Sequence, residues 1–169
     1  MILVTVGTEK FPFNRLMGWL EVLQDADLLG EDLVVQYGAC TVLPAGARVY
    51  RVIREDNFCS LIKQAHVVVA HCGEGTVLQL GALDTPFILV PRSIRYREHI
   101  DDHQVELAQA LASMGVPIAW GPADLVRFLS APLKVSISDL SVSAARALCH
   151  QLEQRFTHDQ GQIHAFMKI

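Results

Sequence analysis

The chain has 169 residues, a hydrophobic fraction of 51% and a formal net charge of −4 at pH 7, which excludes the broad basic field typical of nucleic-acid-binding proteins. Its apolar runs fall short of the roughly 20 residues that cross a bilayer, so the extra hydrophobicity indicates either a large core or an apolar face for a partner. The four cysteines include no C-x-x-C pair, which disfavours a zinc knuckle and a disulfide framework.

The first part of the chain predicts strands that alternate with helices. The opening MILVTVGTEK lacks the basic segment and the cleavage site of a signal peptide, so we interpret residues 2–6 as a strand and expect a cytoplasmic protein. Apolar residues at helical spacing follow over 14–28. Two short strands are expected at 32–37 and 48–53.

The rest of the chain continues this alternation. A helix with Asp56 and Asn57 as candidate N-cap residues is predicted over 56–65, and an aspartate N-cap and Gly115 bound another helix within 101–115. Further strands are expected at 66–70, 85–91 and 116–121. Further helices are expected at 76–83, 124–129 and 140–156.

Short apolar strands that alternate with longer helices indicate βαβ units. The expected fold class is therefore α/β, a Rossmann-like parallel sheet with helices on both faces. A chain of this length buries roughly 70% of its unfolded surface as one domain. We therefore interpret residues 1–169 as a single domain with a helical extension from about residue 122. An apolar face near residues 144–152 could pack on this domain or on a partner.

Three loops at the predicted carboxyl ends of strands, where ligands bind in open parallel sheets, have an unusual composition. They are VGTEKF (6–11), HCGEGT (71–76) and PRSIRYREHIDDHQ (91–104). In the first loop, Gly7 lets the main chain approach a ligand and Thr8 offers a hydroxyl group. In the second loop, Gly73 and Gly75 leave amides free beside a helix N-terminus, which favours an anion.

The HCGEGT turn also has a simpler interpretation, as a strand-to-helix corner that needs glycine for conformational freedom or close packing. It contains neither the Lys-Ser/Thr of a P-loop nor the G-x-G-x-x-G fingerprint. Taken alone, the turn therefore favours a corner over a phosphate site.

The third loop offers several candidate ligands. His99 and His103 are four residues apart, a spacing at which imidazoles can share a metal, but capping of the next helix by Asp101 or Asp102 is favoured and no metal is expected. Gln104 could hydrogen-bond a ligand's hydroxyl groups, and a solvated helix start is an equal alternative. Arginines that could pair with phosphate or carboxylate, or simply face water, are Arg92, Arg95 and Arg97.

Taken together, ILVTVGTEKFPFNRL, VVVAHCGEGTVLQLGALDTPFILVPR and YREHIDDHQVELAQALASMG resemble the C-terminal domain of glycosyltransferase family 28. The resemblance covers about residues 1–121 and is strongest to the small stand-alone members, which are a subunit of the eukaryotic dolichol-linked N-acetylglucosaminyltransferase and the paired bacterial exopolysaccharide subunits. The EHIDDHQ form is similar to the bacterial pairs. The resemblance implies half of a GT-B fold that binds a UDP-sugar without a metal or other cofactor.

The resemblance also implies roles for single residues. The first two loops would bind the donor diphosphate, and Gln104 would contact the hydroxyl groups of the sugar. The residues assigned in this way to donor binding are Gly7, Thr8, Cys72, Gly73, Glu74, Gly75, Thr76, Gln79, Arg92, His103 and Gln104. Candidates for the general base that activates an acceptor hydroxyl are His71 and His99, unless a partner supplies it.

The hypothesis that follows is a hexosyltransferase subunit, active only with a membrane-anchored partner that holds a lipid-linked saccharide acceptor. It would transfer sugar with inversion during surface polysaccharide biosynthesis, recruited by that partner to the inner face of the membrane. Cys72 and Gln79 depart from the glycine and glutamate of the family pattern, and a neutral amide binds ribose hydroxyls less strongly than a carboxylate. A non-catalytic accessory subunit, or a nucleotide or phosphate binder unrelated to sugars, therefore stays open as an alternative.

Overall fold

The computed structural model describes residues 1–135, and within them all strand pairings are parallel, in a sheet of order β3-β2-β1-β4-β5. The strands are β1 (Ile2–Thr5), β2 (Leu33–Gln36), β3 (Arg48–Tyr50), β4 (Val67–His71) and β5 (Phe87–Val90). The helices are α1 (Asn14–Asp25), α2 (Glu55–Gln64), α3 (Glu74–Gly81), α4 (His103–Ser113) and α5 (Pro122–Ser130), with a 3-10 turn at Ile94–Tyr96.

Both faces of the sheet are covered. Every residue of β1, β2, β4 and β5 is buried, whereas β3 lies exposed at one edge. Along β1 the side chains alternate, so that Ile2 and Val4 pack with α1 and α5 on one face while Leu3 packs with α2, α3 and α4 on the other. The predicted α/β Rossmann-like fold is confirmed.

Several predicted boundaries move. Asp56 and Asn57 do not cap α2, because Arg54 is its N-cap residue and both lie inside its first turn. The predicted strand at 116–121 is reduced to a single bridge between Leu89 and Ile118. The stop at Gly115 is confirmed by its φ of +85°. The predicted helix at 140–156 and the apolar face near 144–152 lie outside the described residues.

The strand register brings the three candidate loops together. Thr5, the last residue of β1, pairs with Ala70, and His71, the last residue of β4, pairs with Val90 at the end of β5. Parallel strands have their carboxyl ends at the same edge, so the loops that follow β1, β4 and β5 all emerge there. None of the helices within residues 1–135 is both long and apolar enough to span a lipid bilayer.

Candidate functional site

A cavity of about 680 Å³ opens where these three loops meet. Its lining includes two parts that we name for their residues. The glycine floor is formed by the ends of β1 and β4 and the start of α3, and consists of Gly7, His71, Gly73 and Gly75. The loop wall comes from the third loop, and consists of His99, Ile100, His103 and Gln104. The remaining lining residues are Thr8, Glu9, Lys10, Phe11, Glu74 and Thr76.

A buried imidazole explains two of the glycines. A Cβ atom built on Gly7 would lie 2.7 Å from Cε1 of His71, and one built on Gly73 would lie 2.5 Å from its Nε2. Gly7 also has a φ of +75°. Packing against His71 therefore requires glycine at both positions. The turn is a close-packed corner and also lines the cavity, so the two interpretations of its sequence are compatible.

His71 is neutral in the folded protein. Its burial, with the nearby positive charge of Arg92, lowers the pKa of the imidazole from 6.5 to about 4. Contact with the main chain of Thr5 partly offsets this lowering of the His71 pKa. An imidazole with so low a pKa is a weak general base, so its position favours hydrogen bonding to a ligand over proton abstraction.

The N-terminus of α3 points its first turn at the cavity. Its N-cap residue, Gly73, makes no side-chain cap, and the N–H groups of a first helical turn lack intrahelical partners. A Cβ atom on Gly75 would meet nothing within 4 Å, so this glycine leaves open space for a ligand rather than for packing. Free amides and the helix dipole suit an anion here, although Glu74 in the same turn opposes it.

Gln36 was missed by the sequence interpretation and holds the Gly7 turn in place. Its amide accepts hydrogen bonds from Thr5 Oγ1 at 2.7 Å and Gly7 N at 3.1 Å, and donates to Gly7 O at 2.9 Å and Arg51 O at 3.0 Å. The available signal was a polar residue at the end of the apolar run DLVVQ. Only the fold shows that its partner is a turn 29 residues away.

The prediction that Arg92 contacts the donor is corrected by the structure, because this residue is fully buried and does not line the cavity. Its guanidinium donates to the carbonyl oxygens of Val6 at 2.6 Å and Phe11 at 2.8 Å. These bonds tie the third loop to the first and leave no terminal nitrogen facing a ligand. Arg95 and Arg97 are exposed and also lie outside the cavity lining.

A buried ion pair, also missed from sequence, fastens the loop wall to α1. Glu98 is 2% exposed and accepts from Nε and Nη2 of Arg15, each at 2.9 Å. The central carbon of the Arg15 guanidinium lies 4.7 Å and 4.5 Å from the ring centroids of Trp19 and Tyr96. Because these partners are far apart in sequence, residue spacing gave no signal for the pair.

Cys72 also requires a correction, because its side chain packs in the core beneath α3 and does not line the cavity. Burial raises the pKa of its thiol to about 12, so it stays protonated. Only its main chain belongs to the turn. The three cysteines in the described part of the chain are free thiols.

The aspartates of the third loop have separate tasks. Asp101 Oδ1 lies 3.1 Å from His99 Nδ1, is hydrogen-bonded to His103 Nδ1, and accepts from the His103 main-chain N–H at 3.2 Å. Asp102 occupies the N-cap position of α4 without a side-chain cap bond, and instead accepts from Ser93 Oγ and Ile94 N. Burial raises the pKa of Asp101, but its interactions with the two histidines outweigh this and lower it overall.

Gln104 and Gln79 lie in different cavities. Gln104 lines the main cavity, is 2% exposed, and its Oε1 accepts from the Arg92 main-chain N–H at 3.3 Å, which leaves its NH₂ group as the free donor. Gln79 lines a second cavity of about 460 Å³ with Ile53, Glu55, Phe58 and Gly75. Gly75 lines both cavities, so the two adjoin at the start of α3.

Two relatives among known proteins are both UDP-N-acetylglucosamine–N-acetylmuramyl-(pentapeptide) pyrophosphoryl-undecaprenol N-acetylglucosamine transferases. The protein from Sorangium cellulosum is 34% identical over 113 residues, which cover 61% of this chain and 26% of the relative. The protein from Rippkaea orientalis is 33% identical over 70 residues, which cover 41% of this chain and 19% of the relative. The chain thus spans about a quarter or less of the relatives it matches.

The family comparison covers the whole of the sheet and the cavity. The model of the glycosyltransferase family 28 C-terminal domain matches residues 1–131. This range includes all the loops that line the two cavities. The chain therefore belongs to the glycosyltransferase family 28 C-terminal domain family.

Proposed function

We propose that this chain binds a UDP-sugar across the two adjoining cavities and is the donor-binding part of an inverting glycosyltransferase. The observation that carries the proposal is the glycine floor, in which a neutral imidazole, two close-packed glycines and a bare helix N-terminus surround one space. The two relatives are named for UDP-N-acetylglucosamine and an undecaprenol-linked acceptor, which supports this class of substrate.

The diphosphate binds at the glycine floor in this proposal. The free N–H groups at the start of α3 and the hydroxyl of Thr8 donate to phosphate oxygens, and His71 can donate without carrying a charge. These groups do not need to reorganise when the leaving UDP gains negative charge, so they stabilise the transition state more than the ground state. Lys10 is a further cation in the lining of the cavity.

The nucleoside binds in the second cavity. Phe58 offers an apolar ring for the base, and Gln79 lies near enough to Gly75 for ribose hydroxyls to reach it from the diphosphate. The carboxylate missing at Gln79 has a substitute in Glu55, which lines the same cavity and can accept from a ribose hydroxyl. This pairing supports a retained donor site rather than a decayed one.

The sugar faces the loop wall, where His103 and the NH₂ group of Gln104 meet its hydroxyls. An acceptor hydroxyl then attacks the anomeric carbon as UDP leaves, which inverts the configuration. The base for this step is His99 or a residue of the partner, since the low pKa of His71 makes it a poor base.

The acceptor half lies on another polypeptide in this proposal. The chain matches about a quarter or less of each relative, so the proposed donor site needs an acceptor-binding part in addition to the residues matched here. We assign to that partner the membrane anchor, the lipid-linked saccharide acceptor and the recruitment of this chain to the inner face of the membrane. Surface polysaccharide assembly is the process that fits such a pair.

Calorimetry with UDP and UDP-sugars tests the donor site. Wild type should bind UDP, and Gly75→Val should abolish binding, because the added side chain enters the space over the first turn of α3. Gly18→Val is the matched control: Gly18 is also helical, its Cβ position is also open, and it lies in α1, outside the cavity lining. Absence of binding to wild type at millimolar UDP, in complex with its partner, would contradict the proposal.

A non-catalytic accessory subunit is the second candidate, and the neutral Gln79 is the observation that favours it. In that case Gly75→Val should leave the transferase activity of the assembled pair intact. Loss of activity in the folded Gly75→Val pair, with Gly18→Val active, would exclude this candidate.

A further inference from the structure

One carboxylate serves two imidazoles beside the loop wall. Asp101 Oδ1 is hydrogen-bonded to Nδ1 of both His99 and His103. A carboxylate oxygen only accepts, so each neutral ring must present a protonated Nδ1 to it. We propose that Asp101 is a positioning residue that holds His99 and His103 in the Nδ1–H tautomer, and so leaves both Nε2 atoms as acceptors for a ligand.

The packing of the two rings fixes their orientation as well as their tautomer. Their centroids are 4.5 Å apart with an interplanar angle of 87°, and the ring of Phe11 lies 5.9 Å from that of His99. The side chains keep 10% and 27% of their surface exposed, and both residues line the cavity. Since Nδ1 is occupied in both rings, Nε2 is the nitrogen that remains for a ligand.

This arrangement suits a polyhydroxyl ligand, and this step rests on the proposed function. Unprotonated Nε2 atoms accept from hydroxyl groups and repel phosphate oxygens, while the NH₂ group of Gln104 donates. A sugar hydroxyl both donates and accepts, so it matches a wall with both kinds of group. Asp101 thereby distinguishes the sugar end of the cavity from the phosphate end without contacting the ligand.

The tautomers can be measured directly by long-range ¹H–¹⁵N correlation spectra of the ¹⁵N-labelled chain. The spectra are recorded about two pH units above the ordinary imidazole pKa of about 6.5, where a free imidazole is neutral. The signals of His99 and His103 are assigned by their loss in His99→Gln and His103→Gln. We expect both residues to show a protonated Nδ1 and an unprotonated Nε2.

Two variants isolate Asp101 from its neighbour. Asp101→Ala should move both rings toward the Nε2–H tautomer, whereas Asp102→Ala should leave them unchanged because Asp102 bonds to Ser93 and Ile94 instead. The wild-type measurement does not need an Asp101 variant to fold. A protonated Nε2 at either residue in wild type, or an unchanged Asp101→Ala spectrum, overturns the proposal.

A metal ion is the rival occupant, because ligand atoms of His99, Asp101 and His103 lie within 4.8 Å of one another. Titration with Co²⁺ tests this, since bound Co²⁺ gives a visible absorption band. A band that appears in wild type and is lost in Asp101→Ala overturns the proposal, because a metal-bound Nδ1 carries no proton. Absence of such a band supports it.

The effect of Asp101 on sugar binding is measured as a ratio of two affinities, that for the donor UDP-sugar divided by that for UDP. UDP-glucose, UDP-galactose, UDP-N-acetylglucosamine and UDP-glucuronate serve as probes. In Asp101→Ala the ratio for the best donor should fall about fivefold, the value of one hydrogen bond of about 1 kcal/mol, with UDP affinity unchanged. An unchanged ratio overturns this role of Asp101, whereas failure of wild type to bind UDP counts against the proposed function and leaves the tautomer test intact.

Discussion

The glycine floor and the loop wall face the same cavity but are held in place by different forces. The floor depends on shape: His71 fills the space that Cβ atoms on Gly7 and Gly73 would need. The wall depends on charge, through the Arg15–Glu98 pair and the carboxylate of Asp101. The difference teaches that the part proposed to face phosphate is fixed largely by packing, with the Gln36 hydrogen bonds to Gly7 in support. The part proposed to face sugar is fixed by polar contacts that can be changed one at a time.

The largest expected effect comes from breaking the ion pair behind the wall. Glu98→Ala should lower the free energy of unfolding by about 3–5 kcal/mol, because it leaves the half-buried Arg15 guanidinium without its carboxylate. Urea denaturation measures the loss. Asp84→Asn, which removes the exposed Lys134–Asp84 pair, should change stability little. Equal losses in the two variants would contradict the importance given to burial.

The second effect is a pH dependence of folding stability that comes from His71 in the glycine floor. His71 binds a proton near pH 6.5 when unfolded but only near pH 4 when folded, so the unfolded state holds more protons between these values. Stability is therefore fully present above about pH 6.5, and about 3 kcal/mol of it is lost as the pH falls to about 4. Thermal unfolding as a function of pH should show a smaller loss over this range in His71→Gln. An identical pH profile in the variant would argue against this assignment.

The third effect tests whether the floor is shape-limited. Gly73→Ala places a Cβ atom 2.5 Å from Nε2 of His71 and should cost about 1–3 kcal/mol of stability, whereas Gly75→Ala meets no neighbour and should cost far less. His71→Ala should relieve most of the Gly73→Ala loss in the double variant. Additive losses in a double-mutant cycle would show that the two residues do not clash.

The smallest effect tests whether Cys72 contributes to the HCGEGT turn through its main chain alone. Cys72→Ala should lower stability by about 1 kcal/mol through a small void in the core and leave UDP affinity unchanged. Calorimetry beside urea denaturation checks both. A clear loss of UDP affinity would place the Cys72 thiol in contact with the ligand.

The sheet and the meeting of the three loops were predictable, because apolar strands that alternate with helices imply parallel pairing, and parallel strands end at one edge. What sequence did not predict are the partners of single polar residues. Arg92 and the arginines at 95 and 97 belong to the same loop, yet only Arg92 is buried, since it lies two residues after the end of β5 while the others lie further along the loop. Gln36 and Glu98 likewise have partners fixed by the fold, 29 and 83 residues away.

Gln104 shows how the backbone can set the polarity of a binding contact. The amide of a glutamine can present either end, but here the main-chain N–H of residue 92 donates to its oxygen, which leaves the NH₂ group as the free donor. The donor is the main chain of Arg92 rather than its guanidinium, so a proline at that position would remove the bond. The preference for an acceptor atom on the ligand is therefore set by a main-chain donor that lies beside the cavity.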